Sequence, residues 1–180
     1  MRFNPQRIVK PLTLHRGFTL IELVIGMLVL SIAIVLMTSM LFPQADRAVE
    51  NLQRVRSAEL AHSVMNEIWG KRFDQNTNPN GGSPACDSGL PFALACSTTL
   101  GAEAGEGRND FNDVDDYIGL NINSNMFDST QTYADLYPNF GLSVSVEYVD
   151  AATRAAKLIT VDVTTPTNEV ITYQSVRSNY

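Results

Sequence analysis

The chain has 180 residues, of which 44% are apolar and 18% charged, so it suits one modest domain plus an extension and is too apolar for a disordered protein. Its net charge of −6 is uneven, because residues 1–17 carry four bases and no acid: Arg2, Arg7, Lys10 and Arg16. The rest of the chain has nine basic side chains against 19 acidic ones. An acidic domain repels a phosphate backbone, which argues against general nucleic-acid binding.

Residues 18–42 form an apolar run in which Glu22 is the one charged side chain. As a helix this run would measure about 37 Å, enough to cross a bilayer core of about 30 Å. It is longer than the apolar part of a secretory signal peptide, which has about 7–15 residues. Because bases crowd its N-terminal flank, the sequence predicts a membrane helix with residues 1–17 in the cytoplasm and residues 43–180 outside.

A second helical pattern runs from Gln44 to about Phe73, and Pro43 before it need not end the first helix. Apolar residues recur along one face at spacings of three to five, with charged residues on the other face. The apolar face consists of Ala45, Val49, Leu52, Val55, Leu60, Val64 and Ile68. The sequence thus predicts one long helix, apolar over 18–42 and amphipathic over 43–75, that continues into a globular head over 76–180.

The two cysteines, Cys86 and Cys96, lie in and just after a loop rich in glycine, proline, serine and asparagine. In a head outside the cytoplasm we expect them to form a disulfide. That bond would close a short loop and stabilise the fold by about 3 kcal/mol on the chain-entropy model. The alternatives are two free thiols or half of a metal site.

Residues 101–116 are rich in glycine and acid, and four aspartates near their end are a candidate Ca²⁺ site: Asp110, Asp113, Asp115 and Asp116. Calcium is a hard cation that takes six to eight oxygen ligands. The run is not an EF-hand, because Asp115 stands at the sixth position, where that loop needs glycine. A solvated loop or a helix N-cap is the alternative, and no other cofactor is expected.

Residues 117–140 show no regular period, and five aromatic residues there are expected to anchor the segment on the core: Tyr117, Phe127, Tyr133, Tyr137 and Phe140. Three alternating runs follow, Leu142 to Tyr148, Ile159 to Thr164 and Val170 to Val176. Their short links predict an antiparallel meander with one buried face, which the amphipathic helix would cover. The predicted fold class is therefore α+β.

The start of the apolar run, from Arg16 to Leu23 (RGFTLIEL), resembles the processing signal of type IV prepilins and pseudopilins. Gly17, Phe18 and Glu22 match the family pattern of a glycine, an apolar residue and a glutamate at the fifth position of the run. The resemblance implies that a membrane peptidase cuts after Gly17 and methylates the new amine of Phe18. It also implies that Glu22 recruits an incoming subunit by pairing with that subunit's N-terminal amine.

The physical setting of Glu22 agrees with this role. A carboxylate in a membrane helix costs about 2.5–3.5 kcal/mol at mid-span, so it usually has a function. After cleavage Glu22 would lie in the first helical turn, four residues from a new cationic amine, where the helix dipole favours an anion. It could therefore pair with its own amine or with that of a neighbouring subunit. The alternative is a charge that is tolerated near the membrane interface.

Three further stretches are similar to minor pilins, in particular those of the mannose-sensitive haemagglutinin pilus: Gln53–Ile68, Asp110–Tyr117 and Arg177–Tyr180. The resemblance implies a type IV pilin fold and a low-abundance subunit of an adhesive pilus. Its partners would be other pilins, the prepilin peptidase and the inner-membrane assembly machinery. The subunit would sit in the bacterial inner membrane before it enters a surface filament. The alternatives are a minor pseudopilin of type II secretion and a ligand-binding tip adhesin.

Catalysis is not expected of this sequence. His15 lies in the basic leader and His62 on the long helix, so no histidine remains in the head for a nucleophile–histidine arrangement. The chain also has no CxxC motif and no glycine-rich phosphate loop. It is predicted to be a substrate of a peptidase rather than an enzyme.

Overall fold

A computed structural model describes residues 17–77 and 84–179, apart from the side chains of residues 42, 43, 45 and 46. The chain divides into two units, one up to Arg47 and one from Ala48 onward. The predicted leader, residues 1–17, lies outside the described residues except for Gly17. The second unit begins well before the predicted head at residue 76, because helical residues from position 57 onward supply part of its core.

Helix α1 spans Leu20–Trp69 and is continuous through position 43. A proline removes one helical hydrogen bond, but the helix is long enough on both sides to continue. The end at Trp69 comes six residues before the predicted end at residue 75. Gly70 follows, the Lys71 amide turns back to the Ile68 carbonyl at 3.0 Å, and Arg72 then pairs with Asp113 in an isolated bridge. That pairing draws the chain away from the helix axis.

The predicted meander is present. Strands β1 (Gly141–Tyr148), β2 (Ala156–Thr164) and β3 (Val170–Ser178) form one antiparallel sheet in the order β1-β2-β3. Val144 pairs with Val161, and Val161 with Tyr173, so these three residues lie in one row on the same face. β1 and β2 alternate between buried and more exposed residues, as the sequence pattern predicted. β3 is an edge strand and remains half exposed.

The core of the second unit lies between one face of α1 and the inner face of the sheet. Every third or fourth helical residue is buried there, which is the spacing that places side chains on one face of a helix. The helical contribution is Leu60, Ala61, Val64, Met65 and Ile68, and the strand contribution is Leu142, Val144, Val146, Ile159, Val161 and Val163. The predicted α+β arrangement of a long helix and a small antiparallel sheet is therefore observed, and it is consistent with a type IV pilin fold.

The segment before the sheet is more ordered than the sequence indicated. It contains a short 3₁₀ helix, Asp115–Tyr117, and the single-turn helix α2, Tyr133–Leu136. Thr132 and Asp135 form a capping box at the N-terminus of α2. Four of the five predicted aromatic anchors are buried in the core. Phe127 is not: it is 49% exposed, and the Lys71 ammonium lies 4.8 Å from its ring centre. The prediction was wrong for this residue because a cation at the surface, rather than the core, contacts its ring.

Candidate functional site

The first turn of α1 contains the residues that the sequence singled out. The Thr19 hydroxyl accepts a hydrogen bond from the Glu22 amide at 3.3 Å, and the Thr19 carbonyl accepts one from the Leu23 amide at 3.2 Å. Thr19 is therefore the N-cap, and Glu22 is the third helical residue, where a carboxylate faces the positive end of the helix dipole. The spacing Thr-x-x-Glu is a capping-box signal that the sequence analysis overlooked.

Gly17 and Phe18 precede the cap and are both exposed, Phe18 by 84% of its surface. A Cβ built on Gly17 would meet nothing within 4 Å, so the fold itself does not require a glycine at this position. Phe18 lies only one residue before the N-cap and four residues before Glu22. The structure thus places the predicted cut just outside the helix, and the predicted new amine close to its first turn.

The helical surface that follows is apolar all round. Leu20–Leu41 has a mean hydropathy of 2.8, and none of it is buried within the chain. Its large apolar side chains are each about half or more exposed. Soluble monomers rarely leave an apolar surface of this extent in contact with water. The segment is long and apolar enough to cross a membrane, and lipid or other apolar helices could both cover it.

The polar side chains within this segment are of two kinds. The hydroxyls of Ser31, Thr38 and Ser39 donate to helical carbonyls three or four residues earlier, at 2.7–3.0 Å. They are therefore compatible with an apolar environment. Glu22 differs, because no cationic group within the described part of the chain lies at ion-pair distance from its carboxylate. Within a membrane or a helix bundle such a carboxylate needs a cationic partner, and the amine that cleavage would create at Phe18, its own or a neighbour's, is the candidate.

In the second unit, Cys86 and Cys96 form a disulfide whose sulfurs are buried beside Phe73 and Tyr148. The bond fastens the loop of residues 84–97 to the end of the helix and to β1. The Asn179 side-chain amide donates to the Cys86 carbonyl at 2.9 Å, which adds the end of the chain to this contact. The disulfide removes the thiols that half a metal site would need.

A buried lysine lies next to the disulfide. Lys157 on β2 is 0% exposed, and its ammonium donates to the Phe73 carbonyl at 2.6 Å and to the Asp115 carboxylate, with Asp74 at 3.4 Å. The Tyr148 hydroxyl donates to the neighbouring Ser97 carbonyl at 2.9 Å. The Asp74 carboxylate also accepts from the Ser97 amide at 2.9 Å, so the cluster joins the turn after α1, the 3₁₀ helix, β2 and the disulfide loop.

The four aspartates of the predicted calcium site do not share one environment. Asp110 is exposed and accepts from the Gly107 amide at 3.1 Å, whereas Asp115 faces Lys157. Asp113 is buried; burial and the charge of Asp115 raise its pKa to about 8. Asp116 accepts from the Asp113 amide at 2.9 Å, and its carboxylate lies beside two glutamates that were not among the predicted ligands, Glu103 and Glu106.

A second ion pair fixes the long helix to the head. The Arg108 guanidinium donates two hydrogen bonds to the Glu67 carboxylate, both at 2.7 Å, and the Tyr117 hydroxyl donates a third at 2.7 Å. Burial acts to raise the pKa of Glu67, but the hydrogen bonds from Arg108 and Tyr117 and the charge of Arg108 outweigh it and lower that pKa overall. The ionised form of Glu67 therefore stabilises the fold.

We expect Glu67→Gln to destabilise the head by about 2–3 kcal/mol at pH 7, because it leaves a half-buried guanidinium without its carboxylate. The folded-state pKa of Glu67 lies below the unfolded value of 4.5, so its contribution is complete above about pH 4.5. It is lost as the pH falls through the lower, folded-state value. The measurement is the thermal midpoint of wild type and variant from pH 7 to pH 2, and the difference should shrink at the acid end.

The matched control is Glu59→Gln, an exposed glutamate two turns earlier on the same helix. Its thermal midpoint should follow the wild type at every pH. A Glu67→Gln deficit that stayed constant down to pH 2 would show that packing, rather than the charge of Glu67, makes the contribution.

Comparison with known proteins gives one match. Residues 13–38 match a protein-family model described as the prokaryotic N-terminal methylation motif. No curated protein and no solved structure matches the chain, so the narrower likeness to minor pilins of the mannose-sensitive haemagglutinin pilus gains no support. The match spans Gly17, Phe18 and Glu22, and with it the N-terminal segment is identified as the methylation motif of a type IV prepilin-like chain.

Proposed function

We propose that this chain is a minor structural subunit of a type IV pilus. It is made as a prepilin, cut after Gly17 and N-methylated on Phe18. Residues 18–42 hold it in the bacterial inner membrane, with the head on the periplasmic side, until it joins a surface filament. The methylation motif supports a pilin- or pseudopilin-like subunit. We further propose, from the resemblance of the sequence alone, that the pilus is an adhesive one of the mannose-sensitive haemagglutinin type.

The observation that carries the proposal is the fully exposed apolar helix with one acid in its first turn. A helix that only anchored the head would need no carboxylate, and Glu22 has no cationic partner in the described chain. A second subunit supplies both missing components. Its apolar helix covers the exposed surface, and its N-terminal amine neutralises Glu22.

The helical residues at the start of the second unit also expose apolar side chains. Val49, Leu52 and Val55 recur at intervals of three residues and are exposed by 53%, 62% and 65%. In a filament these side chains would contact neighbouring helices, as would the apolar side chains of Leu20–Leu41. The sequence predicted an apolar helical face from residue 45 onward, but the helix is buried in the head core only from residue 57 onward. A role in contacts between subunits accounts for the apolar residues in between.

A minor pseudopilin of type II secretion would share the motif, the helix and the small sheet. The place of recovery separates the two functions. A pilus subunit is found in filaments sheared from the cell surface, whereas a pseudopilin stays with the cell envelope. The structural role is common to both, and neither function requires this chain itself to catalyse a reaction.

Cleavage is tested by Gly17→Val in cells that contain a prepilin peptidase. The wild-type chain should lose residues 1–17, seen as a mobility shift on a denaturing gel, and the variant should keep them. Because a Cβ at Gly17 meets nothing within 4 Å, the variant should insert and fold normally. Gly26→Ala is the control: its Cβ is equally unobstructed, and this variant should be cut. Cleavage of Gly17→Val at the wild-type rate would contradict the proposed site.

A further inference from the structure

Three carboxyl groups of the head converge in the segment that ends in the 3₁₀ helix. Glu103, Glu106 and Asp116 each place one oxygen within 4.8 Å of the other two. Asp116 is only 1% exposed, and the two glutamates are partly buried. Negative charges this close repel one another, and burial strengthens the repulsion. The arrangement therefore favours either a proton on one of the carboxyl groups or a cation between them.

Part of this cluster is held firmly by the chain itself. One Asp116 oxygen accepts from the amides of Asn112 at 2.6 Å and Asp113 at 2.9 Å. Glu106 accepts from the Glu103 amide at 3.2 Å and from the Asn112 side-chain amide at 2.6 Å. These bonds fix the carboxylates of Asp116 and Glu106, and they leave the second Asp116 oxygen without a donor.

The remaining oxygens are buried and have no donor among the described residues. They are Asp116 Oδ1, Glu103 Oε2 and the side-chain carbonyl oxygen of Asn112. A single buried acceptor without a partner costs about 1–3 kcal/mol, and a charged one costs more. Two of these oxygens belong to the three converging carboxylates, so a cation between the carboxylates would satisfy both.

Three cationic side chains of the same unit are committed to other partners. Arg108 is paired with Glu67, and Lys157 with Asp115. The Lys71 ammonium donates to the Phe111 carbonyl at 2.5 Å. Within residues 84–179 no basic side chain forms an ion pair with the three carboxylates.

We propose that Glu103, Glu106 and Asp116 form a binding site for one Ca²⁺ ion. Calcium takes oxygen ligands in irregular geometries, and its remaining positions would be filled by water. The set differs from the four aspartates that the sequence suggested, since it shares only Asp116 with them. The proposed calcium site lies within the head, and calcium binding there does not depend on filament assembly.

Other metals fit these residues less well. Zinc prefers nitrogen and sulfur ligands, and this cluster offers only oxygens. Magnesium requires a near-ideal octahedron of small radius. A second grouping, Asp74 with Cys86 and Cys96, contains two sulfurs that are joined in a disulfide and are thus not thiolate ligands.

The test uses the full chain, purified in detergent and stripped with a chelator. Adding about 10 mM CaCl₂ should raise the thermal midpoint by about 3–6 °C, for a dissociation constant of about 1 mM as in extracellular calcium modules. A chelator should reverse the shift, and calorimetric titration should give one ion per chain. The same concentration of MgCl₂ should give a smaller shift.

Glu103→Gln and Asp116→Asn should each abolish most of the calcium-dependent shift. Glu103→Gln is the safer of the two for folding, because Asp116 also holds backbone amides. Asp110→Asn removes an exposed carboxylate from the same segment and should keep the full shift. The proposal is overturned if calcium does not move the midpoint of the wild type, or if the shift persists in Glu103→Gln.

Discussion

Glu22→Leu should be inserted and cleaved normally but should reach filaments at about one thirtieth of the wild-type level or less. The variant keeps the basic flank, the apolar run and the Gly17–Phe18 bond, on which insertion and cleavage depend. It removes the carboxylate that we assign to a neighbour's amine. Leaving that amine unpaired among apolar helices costs at least about 2 kcal/mol, which corresponds to about a 30-fold change in an equilibrium.

The measurement compares the amounts of variant and wild type in sheared filaments and in membranes. Glu50→Leu is the control, because Glu50 is an exposed glutamate on the same helix and its loss changes the net charge equally. That control should enter filaments normally. If Glu22→Leu entered filaments as well as Glu50→Leu does, the amine-pairing role would be wrong.

Lys157→Met should destabilise the head by about 3–5 kcal/mol. The substitution nearly preserves volume, but it leaves the Asp115 and Asp74 carboxylates buried without their cation, and the loss of one partner of a buried ion pair has this cost. It also removes a hydrogen bond to the Phe73 carbonyl. Urea unfolding of the full chain in detergent, followed by the fluorescence of the single tryptophan, Trp69, measures the loss.

Two further variants show whether the charge of Lys157 is responsible. Lys71→Met removes the other lysine of the described chain, which is only half-buried and makes one backbone hydrogen bond, and should cost about 1 kcal/mol. Adding Asp115→Asn to Lys157→Met should recover part of the stability, since it neutralises one orphaned charge. A double variant no more stable than Lys157→Met would indicate lost packing instead.

The long helix and the meander could be predicted because both follow from local pattern. The apolar run of 18–42 admits no other reading than a membrane or bundle helix, and the alternation from Leu142 to Tyr148 fixes which residues of β1 face the core. The end of α1 was misplaced by six residues, because the Arg72–Asp113 bridge that ends it joins residues 41 positions apart. The sequence around residue 72 contains no signal for a pairing with a residue so far along the chain.

The same limit applies to the charged clusters. Lys157 interrupts an apolar alternation, and its burial depends on Asp74 and Asp115, which are distant in sequence. The acidic stretch was visible, but its composition does not show that Asp115 is used by Lys157 while Asp116 joins Glu103 and Glu106. By contrast, the N-cap at Thr19 could have been predicted from the spacing Thr19-x-x-Glu22 in the sequence.

The most direct test of the account is the mass of the N-terminal peptide of this chain when it is isolated from native filaments. We predict a peptide that begins at Phe18 and carries one methyl group on its amine, which places a cation four residues from Glu22. A filament subunit that still begins at Met1, or one that begins at any residue other than Phe18, would contradict the account.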